Sequence, residues 1–383
     1  MLNKNILTQE VQQYINANLN ADLHALLLKK SPFNDVSIQE IVQQIKGKKV
    51  ASKKFPFLLK EGIVFPAQLN LEQSSSEITA IYKSNIVKGE SFIDLTCGLG
   101  IDAYYLSRNF SKVTLVEQNS DLLEIVENNW NILGKEARFV HQKLEDFLDQ
   151  NKDIFDTIYL DPARRDDHKN KVFLLEDLSP NILEIEEKLL SFSNEVIIKL
   201  SPLIDLKYLV SVLPSIFRID IVALKNEVKE ILIFLSKNVV KEIVCHCVNL
   251  ESGEPIFTFN VGDEENVLKE YFEPEQFIYI PNNAILKAGT FNLISEKFGL
   301  KKLHPNTHLY TSMHKIEDFP GRILKTQIIE SKQIKKKNQY NIISKNYPLK
   351  PEEIKKKYGL KDGGEGYLIF TQSKKGKIIL KSI

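Results

Sequence analysis

The chain has 383 residues, 43% of them apolar and 26% charged, with a formal net charge of +1, which is the make-up of an ordinary globular chain long enough for two or three cores. No run of about 18 apolar residues reads as a membrane span, and Met1-Leu2-Asn3-Lys4-Asn5 opens no apolar leader, so the expectation is a cytoplasmic protein without a membrane partner. Three cysteines make no disulfide framework, and the near-neutral charge conceals a basic tail: residues 331–383 hold fourteen lysines against four acids, leaving the preceding chain acidic by about nine charges.

In chain order, residues 1–70 predict short helices. Ser37-Ile38-Gln39-Glu40 has the form of a capping box, and Ile41, Val42 and Ile45 follow at helical spacing. The stretch 53–66 reads as a connector. Ser74 and Glu77 fit a second capping box ahead of Ile78, Ile81, Tyr82 and Ile86; the other reading places the hydroxyls of Ser74, Ser75 and Ser76 beside a ligand carboxylate, because this helix runs straight into the first strand.

That strand opens the stretch on which the chain is organised, Phe92-Ile93-Asp94-Leu95-Thr96-Cys97-Gly98-Leu99-Gly100-Ile101-Asp102. An apolar run ends in a carboxylate, two glycines let the backbone approach a ligand closely, and a helix begins. Further strands are predicted at Val113–Val116, closed by Glu117, and at Arg138–Val140, Thr157–Leu160 and Val196–Leu200, with helices around Leu122–Trp130, Leu144–Leu148, Ile182–Leu190 and Leu206–Leu213. Strands separated by helices imply a doubly wound parallel α/β sheet. The last two strands, Ile219–Leu224 and Ile231–Leu235, have only Lys225–Lys229 between them, too little for a crossover helix, so an antiparallel hairpin is expected. Beyond Ser236 the pattern becomes α+β. Strands are expected over Val240–Val248 and Ile256–Phe259, a loop over Pro281–Gly289, and helices over Phe291–Phe298 and Pro351–Tyr358. Alternation puts Cys245 and Cys247 on one face of a strand around His246, and with no second ligand pair no metal is expected.

Ligands of such sheets bind outside the carboxyl ends of the strands, and Asp94, Gly98, Gly100, Glu117 and Asp161 all fall there. Gly98, Gly100 and Ala103, with Glu117 beyond, also satisfy the dinucleotide pattern. Two features favour S-adenosylmethionine (SAM) instead: Asp94 sits where a carboxylate holds an ammonium, and Asp161-Pro162-Ala163-Arg164 stands where a fourth strand ends. The expected cofactor contacts are Asp94, Thr96, Gly98, Gly100, Asp102 and Glu117, the last taking two ribose hydroxyls. Gln118 is a further expected cofactor contact, and Glu145, Asp146 or the backbone at Leu144, just after Gln142-Lys143, are the candidates near the adenine.

These motifs resemble a class I SAM-dependent methyltransferase. The resemblance implies that Asp161 and Pro162 orient the acceptor and that Arg164 meets a base or a phosphate. Amino-methylating members carry Asp/Asn-Pro-Pro and an aromatic, which is missing here. Uridine C5-methyltransferases carry Asp-Pro-Pro-Arg and need a nucleophilic cysteine after the fifth strand, where this chain reads Lys199-Leu200-Ser201-Pro202. Arg164 and Arg165 also have a plainer reading, as a surface pair bonding Asp166 and Asp167.

Nearly the whole chain is similar to one methyltransferase family with a class I domain, a ferredoxin-like insert and a THUMP-like domain. Lys287-Ala288-Gly289 and Leu303-His304-Pro305-Asn306-Thr307-His308-Leu309-Tyr310 fit the ferredoxin-like piece. Ile343-Ser344-Lys345-Asn346-Tyr347-Pro348-Leu349 and Lys361-Asp362-Gly363-Gly364 fit the THUMP-like piece. The expected organisation is an N-terminal helical region (1–70), a Rossmann-like methyltransferase domain (71–238), a ferredoxin-like α+β domain (239–312) and a basic THUMP-like domain (313–383). The resemblance implies methyl transfer to a base nitrogen of tRNA or rRNA, with RNA held by the basic C-terminal region. The alternatives are a SAM-binding RNA module without turnover, and a methyltransferase of proteins or small molecules.

Overall fold

The computed structural model describes residues 2–164, 174–238 and 241–383, except the side chains of residues 68, 69, 73 and 164. The chain divides into two compact units, Met1–Phe217 with Leu232–Val240, and Arg218–Ile231 with Lys241–Ile383.

The first unit begins with helices α1 (Gln9–Ala17), α2 (Leu23–Leu27) and α3 (Ile38–Lys54). The expected capping box starts α3: Ser37 Oγ accepts from the Glu40 N–H at 3.2 Å, and the Glu40 carboxylate accepts from the Ser37 N–H at 2.7 Å. Ile38, Ile41, Val42 and Ile45 then bury against Val11 and Ile15 of α1. Helices α4 (Gln68–Gln73) and α5 (Glu77–Ser84) follow. Here the expected box from Ser74 to Glu77 does not form. Because α4 runs to Gln73, Ser74 closes that helix by donating to the Asn70 carbonyl, and Ser76 caps α5 by accepting from the Thr79 N–H.

The α/β alternation supplies β1 (Ser91–Asp94), α6 (Ile101–Leu106), β2 (Lys112–Glu117), α7 (Ser120–Ile132), β3 (Arg138–His141), α8 (Leu144–Gln150) and β4 (Phe155–Leu160). A two-stranded ribbon of β5 (Ala163–Arg164) and β6 (Leu178–Ser179) comes next, then α9 (Ile182–Phe192), β7 (Ser193–Leu200) and α10 (Leu206–Val212). Two backbone-mimicking carboxamides stitch the N-terminal helices to this domain: Gln44 pairs with the N–H and carbonyl of Phe65, and Asn129 with those of Val64.

The chain continues through β8 (Ile216–Leu224), β9 (Glu227–Leu235), β10 (Val244–Leu250) and β11 (Phe257–Asn260), giving a nine-stranded sheet ordered β11-β10-β8-β9-β7-β4-β1-β2-β3. Strands β3, β2, β1, β4 and β7 are parallel neighbours. The expected hairpin is present, and its turn is only Lys225-Asn226, at φ +50° and +67°, the left-handed pair of a two-residue hairpin turn. Cys245 and Cys247 are buried on β10, while His246 bonds Thr258 Oγ1 through Nδ1 at 2.8 Å.

A seven-stranded sheet completes the second unit: β12 (Phe277–Pro281), β13 (Lys301–His304), β14 (Thr307–Ser312), β15 (Gly321–Ile329), β16 (Gln339–Ser344), β17 (Lys361–Ser373) and β18 (Gly376–Ser382) in the order β13-β14-β12-β15-β18-β17-β16. Helices α11 (Asn283–Ala288), α12 (Leu293–Lys297) and α13 (Pro351–Tyr358) accompany it. The loop expected over Pro281–Gly289 is instead largely α11, capped by the Asn282 side chain on the Ile285 N–H and ended by Gly289 at φ +77°. Among the described residues no helix is long and apolar enough to cross a membrane.

Candidate functional site

At the carboxyl ends of β1, β2 and β4 lies a cleft of about 330 Å³. It is lined by Asp94, Thr96, Gly98, Gly100, Asp102, Glu117, Gln118, Leu144, Glu145 and Asp161, all of them expected at the site. Two glycines shape its floor for different reasons. Gly98 has φ +54°, and a Cβ there would meet only the Thr96 carbonyl oxygen at an ordinary 3.8 Å, so only its backbone conformation requires glycine. Gly100 has φ +70° and lies against the indole: a Cβ there meets Trp130 Nε1 at 2.9 Å and Val126 Cγ1 at 3.1 Å.

Glu117 braces this turn, one carboxylate oxygen accepting from the Gly98 N–H and the other from the Asn119 N–H, each at 2.9 Å. Asp94 is buried and accepts from the Thr96 N–H at 2.9 Å. Burial pushes its carboxyl well above the usual carboxylate range, against the pull of that N–H, and the nearby carboxylates of Asp102, Asp161 and Glu117 push the same way. A cation placed in the cleft relieves this excess of negative charge.

Asp102 takes the opposite course. Burial again favours its neutral form, but Lys83 Nζ at 3.1 Å, Lys199 Nζ at 3.6 Å, Ser75 Oγ at 2.6 Å and Tyr159 OH at 2.7 Å outweigh burial and hold its carboxyl below the usual range. Lys83 and Lys199 are themselves almost wholly buried. Lys199 reaches further, to Asp161 Oδ2 at 2.5 Å and Ser75 Oγ at 3.1 Å. Thr96 Oγ1 accepts from the Asp161 N–H at 2.6 Å, so the glycine loop and the Asp161-Pro162 loop are tied together.

Lys83, Tyr159 and Lys199 are the residues that pattern reading did not assign; Ser75 enters only through the alternative reading that put its hydroxyl beside a ligand carboxylate, and it donates instead to the Asp102 carboxylate. Lys199 carried one signal, a charge inside the apolar run Val196-Ile197-Ile198-Lys199-Leu200 of a central strand. Lys83 had none, since a lysine near a helix end reads as a solvated charge. The backbone of Ala163 and Arg164 pairs with Ser179 and Leu178; the Arg164 side chain and all of Arg165 to Asp167 lie outside the described residues, so the surface-pair reading does too. Cys97 is buried and its thiol is pushed up by burial, with Asp94 and Glu117 adding to it, which is the reverse of an activated nucleophile.

Comparison with known proteins bears on the same residues. Residues 74–191 match the family described as conserved hypothetical protein 95, residues 277–320 a ferredoxin-like domain and residues 322–381 a THUMP domain-like family. A crystal structure from Porphyromonas gingivalis W83, described as a candidate methyltransferase, superposes with a TM-score of 0.87 at 29% identity, over 100% of this chain and 98% of that one. The chain is a methyltransferase homologue with ferredoxin-like and THUMP-like domains. A Mycoplasma mobile protein named as an uncharacterized RNA methyltransferase is 30% identical over 175 residues, 41% of this chain and 48% of its own length. A Pyrococcus furiosus tRNA (uracil(54)-C(5))-methyltransferase is 30% identical over 118 residues, 30% of this chain and 27% of its own length. The methyltransferase homologue described here therefore spans about half the length of the first of these curated relatives and about a quarter of the second.

Proposed function

We propose that this chain is a SAM-dependent methyltransferase that modifies a base nitrogen of RNA. The observation that carries the reading is one cleft with two differently built sides. Asp94, the Gly98–Gly100 turn and Glu117 form a cofactor side with an excess of carboxylates, which suits a ligand bearing an ammonium and a sulfonium. Asp161, tethered by Thr96 and Lys199, forms an acceptor side. The class of the domain implies SAM, and the residues fit it: a buried carboxylate for the ammonium, a two-oxygen acceptor for the ribose, and a turn with two glycines.

When bound, SAM would supply a methyl group already activated by the positively charged sulfur. The chain's own part is alignment and proton handling. Pro162 fixes the loop after Asp161, and Asp161 accepts the hydrogen bond of the acceptor N–H and takes its proton as the nitrogen is methylated. Alignment of this kind supplies much of the acceleration where the leaving group is already activated. Arg164 is assigned to the base or to a phosphate.

RNA as substrate is supported by the THUMP-like match and by the name of the Mycoplasma mobile relative. It is supported also by the exposed lysines of the C-terminal region, Lys335, Lys336, Lys337, Lys356, Lys357, Lys374 and Lys375 among them, which provide sequence-independent phosphate attraction. Carbon-5 methylation is not favoured, because Ser201 and Pro202 follow β7 where a cysteine is needed.

The test is incubation with methyl-labelled SAM and total RNA from a strain lacking the gene, beside DNA and protein extract, with digestion of labelled RNA to nucleosides. Label in one N-methylated nucleoside is the expected result. Tight SAM binding with no label in any tube overturns it in favour of a binding module without turnover, the reading that the absent aromatic after Asp161-Pro162-Ala163 keeps open.

A further inference from the structure

Asp161 is held at two points. Its N–H donates to Thr96 Oγ1 at 2.6 Å, which sets the backbone, and its Oδ2 is paired with Lys199 Nζ at 2.5 Å, which sets the side chain. The Lys199 side chain is 11% exposed and that of Asp161 38%, so the pair sits at the wall of the cleft with the carboxylate on the open side. The same ammonium lies 3.6 Å from Asp102 Oδ2 and donates to Ser75 Oγ. Lys199 thus spans the cofactor-side and acceptor-side carboxylates, and β7, a central strand of the sheet, gives it a rigid base.

Resting on the function proposed above, we propose that Lys199 is a positioning residue: it keeps Asp161 ionised and turned so that Oδ1 receives the N–H of an exocyclic amino group, the class of acceptor this site takes. An acceptor that offers no hydrogen to Oδ1, such as a ring carbon, gains nothing from a carboxylate fixed in this way. The arrangement also answers a problem of charge. Lys199 of β7, Lys83 of α5, Asp102 of α6 and Asp94 at the end of β1 all face Asp161; burial and the carboxylates hold its carboxyl above the usual range, and Lys199 and Lys83 pull it back in part. Without Lys199 the carboxyl is left with burial and two carboxylates opposed only by Lys83, and it holds its proton to higher pH.

The experiment is a carboxyl carbon NMR titration of the full-length chain, the Asp161 signal assigned by its loss in Asp161→Asn. Wild type is compared with Lys199→Met, Lys199→Gln and Lys199→Arg, each checked for its fold by circular dichroism and for SAM binding by calorimetry. The Asp161 midpoint is expected to rise by about one to three pH units in Lys199→Met and Lys199→Gln, and to return near the wild-type value in Lys199→Arg. Lys199→Gln keeps a donor of similar length, so it carries the measurement if the methionine variant does not fold. An unmoved midpoint in the neutral variants, or an equal rise with arginine, overturns the role of Lys199. The acceptor class is read from the labelled nucleoside: a methylamino base is expected, and a C-methyl or 2′-O-methyl product overturns it. If wild type labels no RNA, the proposed function fails on its own, while the titration still decides what Lys199 does.

Discussion

Lys83→Met is the sharpest test of how the site is held. The Lys83 side chain is 1% exposed and that of its partner Asp102 is 9% exposed, with 3.1 Å between the charges. Removing one member of a buried pair leaves the other charge in a poorly solvated place, at a cost of about 3–5 kcal/mol. Asp102 keeps Lys199, 3.6 Å away, along with Ser75 and Tyr159, so the lower end, about 3 kcal/mol, is expected. For a unit of this size that corresponds to roughly 6–12 °C in Tm. The assay is thermal and urea unfolding of the full chain, with Lys112→Met as the control. Lys112 pairs with Glu90 at 2.6 Å, but the two side chains are 73% and 67% exposed, so its loss is expected to leave stability nearly unchanged. The pH dependence adds a second check. The Asp102 carboxyl is held below its ordinary value, so its ionised form contributes stability above about pH 4, and that contribution is lost as pH falls toward the lower value in the folded chain. The gap between wild type and Lys83→Met must therefore narrow in acid. Equal effects of the two substitutions, or a gap that widens as pH falls, would refute the claim that this pair is a desolvated anchor.

The other predictions follow from the same cleft. SAM affinity is expected to weaken as pH falls, because the Asp94 carboxyl sits above its ordinary range and becomes neutral early; Asp94→Asn should cost about 10- to 100-fold in Kd at pH 7 by calorimetry and flatten that dependence. For the same reason the ligand-free chain loses stability as pH rises through the Asp94 value, and the SAM-induced rise in Tm should be larger at pH 7 than at pH 5. Gly98→Ala adds only the left-handed strain of about 1–2 kcal/mol, whereas Gly100→Ala adds a clash with Trp130 Nε1 at 2.9 Å and should unfold at clearly lower urea. Asp161→Ala is expected to lower methyl transfer by about 10²- to 10⁴-fold while SAM affinity stays within a few-fold; parallel loss of both would place Asp161 on the cofactor instead. Lys335, Lys336 and Lys337 changed together to Gln should weaken RNA binding and lower its salt slope by about 0.7 for each lysine–phosphate pair removed.

Local rules made much of this molecule legible. The strand-ending carboxylates Asp94, Glu117 and Asp161 were found because ligand sites of doubly wound sheets lie at strand ends, a rule that needs only the order of elements. The hairpin after β7 was found because a crossover cannot fit in so few residues. What escaped depends on distance in sequence. Lys83, Tyr159 and Lys199 come from α5, β4 and β7, and they meet Ser75 and Asp102 only when the sheet closes. The capping box at Ser74 failed for a related reason. Two overlapping local signals, the end of α4 and the start of α5, competed for one serine run, and the outcome was set by where α4 stops.

The division of labour among the carboxylates is the deeper lesson of the site. Asp94 and Asp102 lie in the same cleft, both buried and both drawn from the glycine-loop motif, yet their carboxyls move in opposite directions. The difference is supplied by two lysines that no motif contains. Lys83 and Lys199 commit Asp102 to a permanent negative charge, a structural post around which Ser75 and Tyr159 are arranged. Asp94 accepts one backbone N–H and has three carboxylates near it, so its charge becomes favourable when a cation enters. A site organised this way is selective by charge before any base or ribose contact is made: a ligand with no cationic group leaves Asp94 unrelieved, whereas the ammonium of the proposed cofactor would complete it. It follows that Asp94→Asn should weaken SAM and its demethylated product alike, because both keep the ammonium, whereas an analogue lacking the ammonium should lose little from the substitution.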